Sequence, residues 1–121
     1  MNYEEMSNWE ITKRVVEIRC KGQLIKFLPQ EDILEPMTSG VMSDKLKIIT
    51  GLGREQVIDA CNNPSDAWPI IVEHGIGMHK QHDQSWFSSW TTGEFDCVDK
   101  NPLRAAMICF LKMKDAENGK H

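Results

Sequence analysis

"NPSDAWPIIVEHGIGM", residues 63–78, gathers two prolines, a tryptophan, a histidine and two glycines. It reads either as an active-site loop or as a short helix feeding a strand. Asn63–Pro64 initiates a turn, and Ser65 or Asp66 is a sound N-cap. With Asp66 as cap, Pro69 falls at N3, where its missing N–H would have had no partner in any case. The helix then runs through Ile70, Ile71 and Val72 and stops at Gly75, a residue suited to the left-handed C′ position. His74 lies in the last turn, where its charged form suits the negative end of the helix dipole. Each conspicuous residue has a structural duty, so the run predicts a helix followed by a strand.

Residues 76–98 support a meander. "IGMH" is succeeded by the polar turn "KQHDQ" and by "SWFSSW", in which Trp86, Ser88 and Trp90 share one face and Phe87 and Ser89 the other. "TTGE" predicts a second turn, with Phe95, Cys97 and Val98 in a third strand. The closing helix is the clearest element. Asn101 caps it, Pro102 occupies N1, and Leu103, Ala106, Met107, Phe110 and Leu111 repeat at helical spacing. Ala105, Ile108 and Cys109 widen the apolar arc, which predicts burial on more than one side. Residues 115–121 read as a polar, frayed tail.

Upstream, Ser7 and Glu10 form a capping box, flanked by Met6 and Ile11 at the positions of a hydrophobic staple. Ile11, Val15 and Ile18 make the apolar stripe of this first helix, which Gly22 is expected to end near Cys20. Residues 23–53 read as mostly irregular or variable. "QLIKFL" predicts a short strand stopped by Pro29, "PQEDILEPMTSG" a loop with one helical turn, and "KLKIIT" a strand broken by "GLG". "REQVIDAC" predicts a brief helix carrying Val57 and Ile58. The order implies one domain over residues 1–121 with an α+β fold: a small antiparallel β-meander packed against helices, the C-terminal helix buried at its centre.

Composition narrows the function classes. Fourteen Lys and Arg stand against 18 Asp and Glu, a net charge of −4, which argues against a protein whose main task is gripping phosphate backbones. The longest apolar run, residues 105–111, is far short of a membrane span, and the acidic N-terminus lacks a signal-peptide profile, so the cytoplasm is the expected compartment. Cys20, Cys61, Cys97 and Cys109 are widely spaced, with no C-x-x-C pair, and read as free thiols.

The N-terminal "MNYEEMSNWEITKRV", the "NPSDAWPII" helix entry, the strand bearing Trp86 and the closing "NPLRAAM" together resemble the NinX-like family of lambdoid phages and prophages, small accessory proteins. The likeness covers both ends and the centre of the chain, and residues 20–55 match less well. It implies a phage-encoded protein made in the infected bacterium, and it supplies no catalytic residues.

Candidate chemistry is sparse. His74, His79 and His82 with Glu73 or Asp83 offer metal-ligand types, but structural zinc sites show tighter, paired spacing, and His79 and His82 belong to a polar turn. No G-x-S-x-G elbow, P-loop or dinucleotide fingerprint occurs. No catalytic, metal-binding or cofactor-binding residue is assigned, and no cofactor is expected. Trp9, Trp68, Trp86 and Trp90 are many tryptophans for the length. Trp68 is expected in the core against the final helix. Trp86 and Trp90 serve either as core or as partner-binding anchors. The preferred reading is a non-enzymatic binding protein whose partner is a host or phage protein. A nucleic-acid-binding module is the first alternative, since helix–three-strand–helix orders also recognise duplex RNA. A small metal-dependent enzyme centred on His79, His82 and Asp83 is the second.

Overall fold

Among the described residues, an asparagine–proline pair starts two of three α-helices. Asn63 accepts the Ser65 N–H on Oδ1 at 2.9 Å with Pro64 at N1, and α2 runs Pro64–His74. Asn101 accepts the N–H groups of Leu103 and Arg104 at 3.0 and 3.2 Å, and α3 runs Pro102–Gly119. α1, Asn8–Arg19, starts on Ser7, whose Oγ accepts the Glu10 N–H at 3.1 Å and whose hydroxyl also reaches the Glu10 carboxylate. Each cap satisfies N–H groups that a helix start leaves without partners. The computed structural model describes residues 2–21, 23–29, 44–51, 53–90 and 96–119, with backbone alone for Trp90, Asn118 and Gly119. Residues 30–40 of the expected loop, the turn at 91–94, Phe95 and the stop at Gly22 lie outside the described residues.

The described strands form two antiparallel sheets. The first orders β1 (Ile25–Phe27), β2 (Leu46–Thr50) and β3 (Glu55–Ile58). The second is the expected meander of β4 (Ile76–Lys80), β5 (Trp86–Trp90) and β6 (Asp96–Asp99), with Ile76 opposite Trp90 and Ser88 opposite Cys97. α3 touches all three strands of the second sheet, α1, α2 and the 3-10 turn Tyr3–Glu5. Its residues 105–111 are fully buried. The fold is α+β, with the C-terminal helix at its centre.

α1 joins the two halves of the core. Ile11 and Val15 pack with α3, while Val16 packs with Leu46 and Ile48 of the first sheet. Trp9, Ile25, Phe27 and Ile58 close the edges of that second cluster.

Three expectations need correction. Residues 55–58 form strand β3, not the brief helix expected to carry Val57 and Ile58. Gly53, at φ +77°, and the bonds Gly53 N–H to Thr50 O and Thr50 N–H to Arg54 O turn the chain back, so β3 pairs with β2. A run this short cannot meet the cost of helix nucleation, whereas a ready strand edge pairs it at once. α2 starts at Asn63, two residues before the earliest expected cap, which places Pro69 inside the helix. Asp66 is thereby released from capping and accepts the Asp59 N–H at 2.9 Å. The two strands expected within the region 23–53, in residues 23–28 and 45–50, form as β1 and β2. Finally, the tail does not fray at residue 115: α3 continues through Gly119. Asp115 accepts the hydroxyl of buried Tyr3 and lies 3.9 Å from Arg14 Nη2.

Candidate functional site

α2 divides its apolar residues between two faces. Ala67, Ile70 and Ile71 are buried, and His74 continues that stripe at i, i+3, i+4, i+7. Trp68 and Val72, four residues apart, lie on another face and are 59% and 60% exposed. Trp68 therefore does not fill the core as expected. Ala67 and Ile70 take the inward positions, and adjacent residues on a helix point about 100° apart. An indole left in water on a folded domain is a large apolar area without a partner.

Ser65, Pro69 and Ile70 continue from this ridge into a cleft of about 470 Å³, walled by Val16 and Cys20 of α1 and by residues 56–58 of β3. Val57, 54% exposed, extends the apolar surface at its lip. Arg19 bridges the rim, its Nη1 3.2 Å from Glu73 Oε2. Beyond the C-terminal end of β3 the surface turns acidic. Asn62 Nδ2 donates to both Asp44 and Asp59 at 3.1 Å, and Asp66 holds the Asp59 N–H. Burial pushes the Asp59 carboxyl above its ordinary range, opposed by the Asn62 bond and reinforced by Asp44 and Asp66.

The histidines that offered metal-ligand types in the sequence have other surroundings. His74 packs on Phe110, ring centroids 4.9 Å apart, while His79 is in β4 opposite Phe87 and Asp83 caps its own turn by accepting the Ser85 N–H at 3.0 Å. Among the described residues, no three His, Cys, Asp or Glu side chains gather in a metal-ready group. The four cysteines are free thiols, and burial pushes Cys61 up to about 12 and Cys97 and Cys109 up to about 11. Such groups stay protonated at neutral pH and are poor nucleophiles.

His74 gives a pH prediction. Burial, and secondly the Lys114 charge, hold its pKa below the ordinary 6.5, against an opposing pull from Glu73. The unfolded chain then takes up a proton that the folded ring resists. Stability from the neutral ring is thus fully present above the unfolded pKa and is lost as pH falls from there through the lower folded pKa. Urea unfolding between about pH 7 and 5 should show the wild type losing stability relative to His74→Gln. Parallel profiles for the two proteins would refute this.

Trp86 lies in β5 on the pleat face that also carries buried Ile76, Ser88 and Cys97, the face α3 covers, and Trp90 ends the same strand. Trp86 is half-buried there, and the side chain of Trp90 lies outside the described residues. The opposite face carries His79, Phe87 and Val98.

A family model described as "Bacteriophage P22, NinX" matches residues 2–114. The chain belongs to the NinX family. The match takes in both sheets, α1, α2 and most of α3, including residues 20–55, where the sequence resemblance was weakest. At that level the chain is a phage-encoded accessory protein. No curated protein and no solved structure matches it. No helix among the described residues is long and apolar enough to cross a membrane.

Trp68 is the candidate that sequence reasoning missed. One signal was present: Ala67, Ile70, Ile71 and His74 complete a stripe without it, and Trp68 and Val72 form a separate pair.

Proposed function

We propose that this NinX-family chain is a non-enzymatic binding protein that engages a host or phage protein during infection, with Trp68 as its anchor. One observation carries the reading: Trp68 and Val72 stand exposed one turn apart beside an apolar cleft. Tryptophan is enriched among residues that dominate binding energy, and a rigid indole flanked by apolar surface is typical of such anchors. The acidic surroundings of the cleft and the net charge of −4 favour a protein partner over a phosphate backbone. The cytoplasm of the infected bacterium is the compartment this reading requires.

Trp68→Ala is the decisive variant. Because its indole is mostly in water, the substitution should change stability by no more than about 0.5 kcal/mol. Capture from phage-infected cells should recover a protein at stoichiometric level with the wild type, and lose it with Trp68→Ala. Trp86→Ala and Trp90→Ala, the positions the sequence left open between core and anchor, form the comparison. Loss with these two and retention with Trp68→Ala would move the site to the second sheet. Recovery abolished by nuclease treatment would instead support nucleic-acid binding.

A further inference from the structure

The β3 edge of the first sheet, which no described strand pairs, borders the cleft. In that sheet Lys47 O accepts the Leu28 N–H at 3.0 Å, and Thr50 N–H donates to Arg54 O at 3.0 Å. Odd-numbered residues of β2 therefore bond toward β1 and even-numbered ones toward β3. The register pairs Leu46 with Ile58 and Ile48 with Gln56, so Gln56 and Ile58 bond inward. Glu55, Val57 and Asp59 aim their N–H and C=O groups outward. The Asp59 N–H is taken by Asp66. Among the described residues nothing bonds the outward groups of Glu55 and Val57.

Such an edge is a template for another strand. A strand laid along β3 would send alternate side chains toward the cleft beside Ile58, Val16, Pro69 and Ile70, whose volume of about 470 Å³ is that of a ligand pocket. The end of this track is acidic. Asp44, Asp59 and Asp66 surround it against Lys45, while Arg19 at the opposite rim is already held by Glu73.

We propose that the partner binds as an extended segment adding to β3 as a fourth strand, with apolar residues at alternate positions and a lysine or arginine at the end beside Asp59 and Asp66. The inference rests on the protein-binding reading above and specifies its mode: main-chain hydrogen bonds supply affinity, and alternate side chains supply specificity.

The test pans a random dodecapeptide display library against the full chain. Enriched peptides should alternate apolar residues with period two and carry Lys or Arg at one end. Synthetic versions, followed by fluorescence anisotropy, should bind at least about tenfold more weakly when the edge-facing amides are N-methylated, since each loses a hydrogen bond. Val57→Pro removes the outward N–H and is tolerated on an edge strand, and it should lower binding by about tenfold or more. Should that variant fail to fold, the N-methyl peptides alone decide. Peptides with helical periodicity, indifference to N-methylation, or no enrichment would each overturn the proposal. Self-association abolished by Val57→Pro, with no peptide enriched, would also overturn it and assign the edge to a second copy. If Val57→Pro leaves capture from infected cells intact while Trp68→Ala abolishes it, strand addition fails and the binding reading stands.

Discussion

Phe110→Ala is expected to remove about 3–5 kcal/mol of stability, a large part of the roughly 5–15 kcal/mol available to a domain of ordinary stability. Phe110 is fully buried in the central helix, with the His74 ring on one side and the Lys114 ammonium 5.8 Å from its centroid. α3 touches the second sheet, α1 and α2, so a void there loosens several contacts at once. Surrounding side chains relax only partly into such a void, which adds a cavity cost to the lost transfer energy. Phe110→Leu, which keeps most of the volume, should cost under about 1.5 kcal/mol. Urea unfolding followed by tryptophan fluorescence measures both. Equal, small losses for the two variants would show that α3 is not the centre of the fold.

Arg104→Ala should be nearly as damaging, for a different reason. Its side chain is only 13% exposed and is spent on hydrogen bonds: Nε to Asp99 Oδ2 at 3.0 Å, Nη1 to Asn8 Oδ1 at 2.7 Å, Nη2 to the carbonyls of Met6 at 2.7 Å and Glu4 at 3.1 Å. These bonds fasten the entrance of α1 to the first turn of α3. Alanine would leave partly buried Asp99 without its cation and two carbonyls without donors, at a cost of about 2–4 kcal/mol. Arg104→Lys restores the charge but not the planar fork, and should recover less than about half of that loss. A change in unfolding free energy below about 0.5 kcal/mol for Arg104→Ala would show the network to be dispensable.

Local chemistry made much of the fold legible. Ser7 with Glu10, Asn101 with Pro102, and Gly75 at φ +64° act within one turn of chain, and each ends or begins a helix at or near its expected place. The β4–β5 hairpin follows from its alternation and polar turn. The misplaced start of α2 was also local. Asn63–Pro64 is the same pair as Asn101–Pro102, so it could have been read the same way. β3 was less accessible, because four residues carry too little periodicity to separate strand from helix. Its identity comes from the partner strand.

The candidate site lay beyond local reasoning. Size suggested that Trp68 should be inside, but α2 presents apolar residues on two faces, and periodicity cannot say which one meets α3. Arg104 gave as little warning, since its partner Asn8 lies 96 positions away.

From sequence alone came the α+β class, the helix termini, the central place of the last helix and the likeness to phage NinX proteins, because caps, turns and stripes act over a few residues. Tertiary structure decided the pairing of β3, the outward placement of Trp68 and the cleft between them. Those depend on which faces meet across the whole chain, and burial of one face is what leaves the other open.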